Sequence, residues 1–445
     1  MRPSARHVAF EALLQMAENE GYSNIVIDKA LQAAGLDPRD AGLASAIFYG
    51  VLERRLPLEH LLRQCLSDPR KKVDPWVWNL LLCGAYQILY LDRVPDSAAV
   101  NQAVEEAKTY KGGAFTGLVN GVLRNLSRRK EQLTLPEGDS LQARSLRSSI
   151  PQELLALWQK SYGEEVLSKL LEALDRRPPL YLRVNTQRVT VEELGRLLAP
   201  RGAALEPVET LPGAAILRGE GSPASLPEFE EGLFHVQDLS AQLACTLLEA
   251  KPGQTLCDCC AAPGGKSFTL AQDMEDRGAL YAFDLYKGRV GLIQQGAQRL
   301  GLGCVVAKRA DATQPYEGLP PMDGVLCDVP CSGYGVIRRK PEIRYKPLSS
   351  VRELPALQLR ILENGATLVK PGGLLLYTTC TLNPAENQQV ASRFLEAHPE
   401  FEPAPFQLPG VTRLPGEASH MATLLPCNGG SDGFFAARFR RKGDL

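Results

Sequence analysis

Residues 256–267 restrict the fold of this chain more than any other stretch, and they read Leu-Cys-Asp-Cys-Cys-Ala-Ala-Pro-Gly-Gly-Lys-Ser. An apolar segment leads to the carboxylate of Asp258, and a Pro-Gly-Gly turn with few side chains follows at residues 263–265. Glycine lets a ligand approach the backbone, and the next residues have the composition of a helix start, whose N–H groups would converge on the turn. This pattern predicts a nucleotide-binding crevice at the carboxyl end of a parallel strand.

Two phosphate-binding fingerprints do not fit this stretch. A P-loop requires glycine five residues before the glycine of Gly-Lys-Ser, and Cys260 occupies that position. The dinucleotide fingerprint Gly-x-Gly-x-x-Gly is absent as well. A plain turn without a ligand remains an alternative when the Pro-Gly-Gly sequence is considered alone.

The length and composition of the chain indicate a globular protein with several domains. Its 445 residues, 44% of them hydrophobic, suffice for two to four domains with substantial cores. The formal net charge is −1, but basic residues cluster in three places. The clusters are Arg124, Arg128, Arg129 and Lys130; Arg338, Arg339, Lys340, Arg344 and Lys346; and Arg438, Arg440, Arg441 and Lys442. Such clusters indicate either solvated charged faces or a polyanionic partner.

The sequence lacks the features of a secreted or membrane-spanning protein. The first ten residues are polar and basic, and no long apolar run follows them. The longest apolar stretch, residues 80–91, contains Gln87 and is too short to cross a bilayer. We therefore expect a soluble, cytoplasmic protein whose eleven cysteines are free thiols.

The pattern of apolar residues changes along the chain and predicts a multidomain protein. Residues 1–130 show apolar residues at three- and four-residue spacing between short breaks, which predicts an all-α bundle. Residues 131–150 have the composition of a linker, and residues 151–237 fit a small α+β module. In residues 238–445, helical segments alternate with short apolar strands, which predicts an α/β doubly wound, Rossmann-like domain.

Acidic residues follow successive strands of this predicted parallel sheet. They are Asp258, either Glu275 or Asp284, Asp311 and Asp328. Asp284 lies about twenty residues after the glycine turn, where a carboxylate binds ribose hydroxyls in nucleotide-binding folds. A single aspartate at a strand end is often a helix cap or a turn former, but four around one crevice favour a binding site.

Two cysteines also follow strands of the predicted sheet. Cys331 lies in Asp-Val-Pro-Cys-Ser-Gly after the fourth strand, and Cys380 lies in Tyr-Thr-Thr-Cys-Thr after the fifth. Adjacent parallel strands end at the same crevice, so both thiols are expected near the ligand. A zinc deaminase would need Pro-Cys-x-x-Cys, but Tyr334 occupies the second cysteine position, and no metal is expected. A redox pair remains an alternative.

Together these motifs resemble the S-adenosylmethionine-dependent RNA 5-methylcytosine methyltransferases. The glycine turn, the acidic strand ends and both cysteine motifs occur in the order found in that family. The resemblance implies that Cys380 is the nucleophile that adds to carbon 6 of cytosine, that Cys331 assists product release, and that Asp328 holds the amino edge of the base. It also implies S-adenosylmethionine as the cofactor, bound by Cys260, Ala261, Ala262, Pro263, Gly264, Gly265, Lys266, Asp284 (ribose), Asp311 (adenine) and Asp328.

The N-terminal part resembles the RNA-binding fold of the antitermination factor NusB. Val94-Pro95, Val100-Asn101 and residues 115–124 carry this resemblance. The combination implies an enzyme that acts on 16S ribosomal RNA, free or in an early assembly particle, as a monomer without a membrane partner. A tRNA methyltransferase is one alternative, and a non-catalytic RNA-binding or ribosome-assembly factor on the same fold is another.

Two further points concern the stretch after the fourth strand. An amino-group methyltransferase would require Asp/Asn-Pro-Pro-Tyr/Phe there, and this chain has Asp-Val-Pro-Cys instead, which favours thiol chemistry. The basic residues between 338 and 346 directly follow this motif. We expect them either to grip phosphates that flank the target base or to form a solvated loop.

Overall fold

The computed structural model describes residues 3–18, 21–219 and 221–443, which form two compact units. The first unit comprises Met1–Leu157 and Arg339–Lys346, and the second comprises Trp158–Arg338 and Pro347–Leu445. The ends of the predicted domain ranges, residues 1–2 and 444–445, lie outside the described residues. Within the described ranges, no helix has both the length and the apolar character needed to cross a membrane.

The first unit is a helical bundle, which confirms the predicted all-α class of this part. Asp37 and Asp74 each precede a proline and cap the following helix, because their carboxylates accept the N–H groups of Asp40 and Trp76. Its helices are α1 (Ala5–Glu18), α2 (Ser23–Ala34), α3 (Pro38–Glu53), α4 (Arg55–Arg63), α5 (Pro75–Tyr90), α6 (Asp96–Thr109), α7 (Thr116–Arg129) and α8 (Leu141–Ser148). Its core includes Phe10, Ile47, Phe48, Leu58 and Leu81.

Helix α8 lies inside the range 131–150, where the sequence predicted a linker. Ser140 caps this helix by accepting the N–H of Ala143 at 3.2 Å. The side chain of Ala143 is buried, and α8 contacts α4. A capping serine and one buried face therefore give an ordered helix in a stretch whose composition resembles a loop.

The inserted segment, Arg339–Lys346, joins the first unit although it follows that unit by almost two hundred residues of sequence. The hydroxyl of Tyr345 donates to the carbonyl of Leu52 at 2.8 Å. The guanidinium of Arg344 donates to the carbonyls of Glu53 and Ser148 at 3.3 and 3.2 Å. These carbonyls stand at the ends of α3 and α8, where a helix has no partners of its own. The inserted segment therefore completes two helix ends.

The second unit begins with the predicted α+β module. Four strands form an antiparallel sheet in the order β2-β3-β1-β4. Its buried core includes Leu182, Val184, Leu194 and Phe234. The elements are α9 (Gln152–Tyr162, which spans the boundary between the units), α10 (Glu164–Leu174), β1 (Leu180–Val184), α11 (Val191–Leu198), β2 (Ala204–Pro207), β3 (Ala214–Arg218), α12 (Pro227–Glu230) and β4 (Phe234–Val236).

The rest of the second unit is built on an eight-stranded sheet. Its order is β10-β12-β9-β8-β5-β6-β7, and β11 pairs with β12. Its elements are α13 (Leu239–Thr246), β5 (Thr255–Asp258), α14 (Gly265–Asp273), β6 (Ala279–Asp284), α15 (Lys287–Leu300), β7 (Val305–Arg309), β8 (Met322–Asp328), α16 (Leu354–Ala366), β9 (Val369–Thr379), α17 (Gln388–Ala397), β10 (Phe401–Pro403), β11 (Met421–Leu424) and β12 (Phe434–Arg441).

The five strands from β5 to β9 are parallel, and helices cover both faces of the sheet. One apolar core joins the sheet to α14 and α15 through Leu270 and Ile293. A second core joins it to α16 and α17 through Leu362 and Phe394. This arrangement confirms the predicted doubly wound, Rossmann-like class.

Two features of this sheet differ from the alternation that the sequence predicts. Strands β10, β11 and β12 add an antiparallel edge, and β12 pairs with β9 along six residues. Residues 310–321, between β7 and β8, form no α-helix. Strands β10 and β11 are only three and four residues long, and arginines interrupt β12, so their pattern gives a weak signal.

We predict that Gly365→Ala destabilises the second unit. A Cβ at this position of α16 would lie 2.7 Å from the sulfur of Cys327 and 3.4 Å from that of Cys259. Overpacking of this kind costs about 1–3 kcal/mol, which urea denaturation would measure.

The matched control is Gly291→Ala in α15, where an added Cβ meets nothing within 4 Å. Replacing an unstrained helical glycine stabilises by about 0.5–1 kcal/mol. Equal effects of the two substitutions would contradict the close packing of α16 on the sheet.

Candidate active site

The predicted site residues lie at the carboxyl edge of the large sheet. Strands β9, β8, β5 and β6 are neighbours in that order. Asp258, Asp328 and Asp284 are the last residues of β5, β8 and β6, and Cys380 directly follows β9. The ends of parallel neighbours open on one crevice, so the structure brings these side chains to the same edge.

The glycine turn connects β5 to α14. Gly264 has a φ of 114°, which L side chains rarely adopt, and a Cβ there would lie 2.2 Å from the ring of Phe268. The chain enters α14 at the next residue, Gly265. The first N–H groups of a helix have no partner inside it, so the turn presents hydrogen-bond donors at the sheet edge.

Asp258 is a buried carboxyl group beneath the turn, and only 1% of its surface is exposed. The hydroxyl of Ser267 donates to it at 2.7 Å, which ties the end of β5 to the first turn of α14. Burial raises the pKa of Asp258 to about 7, even though the Ser267 hydrogen bond acts in the opposite direction. Asp258 therefore titrates near neutral pH.

Lys266 and Asp328 form an ion pair that joins the turn to the end of β8. The ammonium of Lys266 lies 2.7 Å from Oδ2 of Asp328, and the hydroxyl of Thr378 on β9 donates to Oδ1 at 2.8 Å. Burial alone would lower the pKa of Lys266, but the charge of Asp328 outweighs it and raises that pKa. The sequence predicted Lys266 at the cofactor and Asp328 at the base, and the structure links the two.

Cys331 and Cys380 lie in contact, with their sulfur atoms 3.2 Å apart. Both residues are half-buried. The contact with Cys380 and burial together raise the pKa of the Cys331 thiol well above its ordinary value. Ionisation of the Cys331 thiol is therefore less favourable than that of a free cysteine.

Two cysteines of the glycine-turn stretch, Cys257 and Cys259, are buried packing residues. Cys257 and Cys259 are 0% and 1% exposed, and their sulfur atoms lie 4.0 Å apart. Cys260 is half-buried, and burial raises the pKa of its thiol. Across the described part of the chain, no group of three or more His, Cys, Asp or Glu side chains is arranged to hold a metal ion.

The structure distinguishes between Glu275 and Asp284, the two acidic residues that the sequence offered for the end of the second strand of the sheet. Asp284 ends β6 at the carboxyl edge, is 6% exposed, and accepts the N–H of Tyr286. Glu275 instead precedes β6, at the opposite end of that strand. Asp311 is exposed after β7 and accepts the N–H and hydroxyl of Thr313, which lower its pKa. Asp311 therefore stabilises the turn that follows β7.

Arg338 does not have the role that the sequence suggested for the basic residues after the Cys331 motif. It is 8% exposed, donates to the carbonyls of Gly430 and Ser431, and lies 3.6 Å from the carboxylate of Asp432. Arg344, in the inserted segment, is 7% exposed. Phosphate binding by these two arginines was therefore a wrong expectation, because both side chains are buried and donate to backbone carbonyl groups.

Sequence reasoning missed the partners that hold the site together. Lys266 and Asp328 are 62 residues apart, and Thr378 and Asp328 are 50 apart. Glu386, six residues after Cys380, is fully buried beside the Cys331 loop and was not identified at all. No spacing in the sequence marks such pairs, because they form only when the strands are placed side by side.

Comparisons with known proteins identify the family of each part of the chain. The family model described as 16S rRNA methyltransferase RsmB/F matches residues 245–440. The NusB family matches residues 3–128, and the ferredoxin-like domain of RsmF/B-like methyltransferases matches residues 150–222. The fold and site thus define a Rossmann-like methyltransferase with two additional N-terminal domains.

Relatives match along the whole chain. The probable ribosomal RNA small subunit methyltransferase B of Bacillus subtilis (strain 168) is 36% identical, with 99% of this chain and 100% of that protein covered. The crystal structure of PH0851 has a TM-score of 0.84 at 25% identity and covers 99% of both chains. A methyltransferase homolog from Pyrococcus horikoshii has a TM-score of 0.60 at 30% identity, covering 68% of this chain and 100% of that one.

The chain belongs to the RsmB/F family of methyltransferases, and its full-length relatives are ribosomal RNA small subunit methyltransferases B. This confirms the resemblance that the motifs carry and the NusB-like character of the helical part. It also shows that the protein is an enzyme.

We predict that Asp258→Asn changes how the free energy of unfolding depends on pH. The folded pKa of about 7 lies above the ordinary value of 3.8, so the native state holds a proton that the unfolded chain releases. Asp258 therefore lowers the free energy of unfolding as pH rises from about 4 to 7, by an amount on the order of a few kcal/mol. Asparagine cannot ionise, yet its side-chain oxygen can still accept the Ser267 hydroxyl.

Urea denaturation of both proteins at pH 5 and pH 8 tests this. The variant should gain stability relative to the wild type at pH 8. Parallel pH profiles would show that Asp258 does not titrate in this window.

Proposed function

We propose that the enzyme methylates carbon 5 of a cytosine in 16S rRNA through a covalent bond between Cys380 and carbon 6 of the base. The observation that carries this proposal is the 3.2 Å contact between the sulfurs of Cys331 and Cys380 at the sheet edge. A second thiol beside a nucleophilic thiol has no use in transfer to an amino group, whose own lone pair attacks. The substrate named for the family and its relatives supports the choice of rRNA.

Cys380 supplies the activation that cytosine needs. Carbon 5 of the base is a weak nucleophile, and addition of the Cys380 thiolate to carbon 6 converts it to an enamine carbon. After methyl transfer, the proton on carbon 5 must leave as the electron pair restores the ring double bond and expels Cys380. Cys331 assists this release, because its sulfur lies next to the sulfur that departs.

Asp328 binds and polarises the base in this proposal. Its carboxylate already accepts from Lys266 and Thr378, and each carboxylate oxygen has a second lone pair for the cytosine amino edge. The ammonium of Lys266, 2.7 Å from Oδ2, holds the Asp328 carboxylate in place. A fixed negative charge at this edge favours the protonated, electrophilic form of cytosine.

The residues of the crevice fit S-adenosylmethionine. Asp284 is a buried carboxylate at the end of β6 with acceptor capacity for ribose hydroxyls, and the turn at Gly264 offers backbone donors to a carboxylate. Asp311 would accept the adenine amino group with the lone pairs left free by Thr313. When bound, this cofactor supplies an electrophilic methyl group.

The other parts of the chain complete the proposal. We assign RNA binding to the NusB-like domain at residues 1–130, a connection to residues 131–150, the small module to residues 151–237 and catalysis to residues 238–445. The enzyme would act in the cytoplasm as a monomer, on 16S rRNA that is free or in an early assembly particle. The target base must be unstacked or lie in a loop, because carbon 6 is covered inside a helix.

We predict opposite outcomes for the two cysteines. Cys380→Ala should lower methyl transfer to unmodified 16S rRNA at least about 1,000-fold, since no adduct can form. Cys331→Ala should form the adduct but fail to release it, so that a denaturing gel shows a protein–RNA complex. Both are measured with radiolabelled S-adenosylmethionine.

Cys427→Ala is the control, because Cys427 is a half-buried thiol outside this site. Persistent methylation by Cys380→Ala would overturn the mechanism. Preferential labelling of tRNA would move the substrate to the alternative class.

We also predict that Asp284→Asn raises the dissociation constant for S-adenosylmethionine by about 10- to 100-fold, because the cofactor loses a hydrogen bond to a charged group. Isothermal titration calorimetry measures it. Glu275→Gln, at the other end of β6, should leave the constant unchanged. A larger effect of Glu275→Gln would place the ribose elsewhere.

A further inference from the structure

Glu386 is a fully buried carboxylate in the loop that follows Cys380. Three N–H groups donate to it: Ser332 N at 2.8 Å and Gln358 Nε2 at 2.9 Å, both to Oε2, and Asn383 Nδ2 at 2.8 Å to Oε1. All three donors are neutral. Both carboxylate oxygens of Glu386 therefore act as hydrogen-bond acceptors.

These contacts hold the Cys331 loop on both sides of the cysteine. Ser332 N belongs to the peptide bond directly after Cys331. The same Gln358 amide that reaches Glu386 also donates to the carbonyl of Pro330, directly before Cys331, at 2.9 Å. Glu386 therefore fixes the backbone that carries the Cys331 sulfur.

Glu386 itself is attached to the loop that carries Cys380. Asn383 binds it from within that loop, and the hydroxyls of Ser332 and Thr381 lie 2.6 Å apart as a second link between the two cysteine loops. The neighbouring Asn387 holds the flanks of Cys380 instead, because its side chain bonds the hydroxyl of Thr379 and the carbonyl of Thr381. Two adjacent buried side chains thus hold two different loops.

We propose that Glu386 is a positioning residue for product release, which rests on the proposed function of Cys331. It sets the distance between the two sulfurs by tying the Cys331 loop to the Cys380 loop. It acts on Cys331 through the backbone on either side of that residue, at Ser332 and Pro330. Loss of its carboxylate impairs the step that needs Cys331 and spares the addition of Cys380 to the base.

Glu386→Gln tests this proposal with little change in shape. Glutamine has one oxygen where glutamate has two, so one of the three donors meets an N–H group instead of an acceptor. Asn383 cannot simply turn over, because its own oxygen accepts the N–H of Ala385. We expect at least a fivefold rise in the fraction of covalent RNA adduct on a denaturing gel and a matching fall in multiple-turnover methylation, with normal adduct formation in a single turnover.

The double variant Asn383→Asp with Glu386→Gln restores every donor and acceptor by exchanging the amide and the carboxylate. It should return the adduct fraction to within about twofold of the wild type. Such a rescue would show that product release requires the hydrogen-bonded link between the two loops and not the identity of residue 386. Asn387→Leu is the matched control at the neighbouring residue. Because Asn387 holds the flanks of Cys380, this variant should lower adduct formation and methylation together.

The controls distinguish a failure of the proposed function of Cys331 from a failure of the positioning role of Glu386. Cys331→Ala runs in parallel, and if it traps no adduct, the proposed function fails whatever Glu386→Gln does. If Cys331→Ala traps the adduct while Glu386→Gln turns over normally, or loses adduct and methylation together, the positioning role is overturned. If Glu386→Gln melts far below the wild type, Gln358→Met carries the test, since it removes the donor to Pro330 and should trap the adduct in the same way.

Discussion

The ion pair between Lys266 and Asp328 is the interaction on which the site depends. It connects the turn after β5 with the end of β8, and Thr378 extends the connection to β9. Both partners are half-buried, so removal of either leaves a charge without its counter-ion in a poorly solvated place, which is strongly unfavourable. The glycine turn, the Asp328 carboxylate and the strand that leads to Cys380 are therefore held as one assembly.

Among the carboxylates at or near this edge, Asp258, Asp328 and Glu386 differ chemically because their surroundings differ. Asp258 accepts the hydroxyl of Ser267, and burial raises its pKa to about 7. Asp328 faces an ammonium and is the group proposed to meet the base. Glu386 faces only neutral N–H groups and holds a loop. The same functional group therefore anchors the glycine turn at Asp258, pairs with Lys266 at Asp328 and ties two loops together at Glu386, according to the groups that donate to it.

The sequence was most informative where function depends on local order. The glycine turn, the strands that lead to Asp258 and Asp328 and the positions of both cysteines follow from short motifs, because neighbouring residues set them. The partners of these groups did not follow, since Ser332 and Glu386 are 54 residues apart and meet only after β8 and β9 pair. The basic clusters also led to a wrong expectation of phosphate binding. The sequence does not tell whether an arginine such as Arg338 contacts solvent, phosphate or a buried carbonyl group.

The inserted segment has a consequence for synthesis of the chain on the ribosome. The carbonyl groups at the ends of α3 and α8 obtain their partners from Arg344 and Tyr345. These residues are translated long after the helices that they complete. The helical unit therefore emerges from the exit tunnel before all of its hydrogen bonds can form. It reaches its final form only when most of the parallel sheet has also been made, so the order of translation affects the maturation of both units.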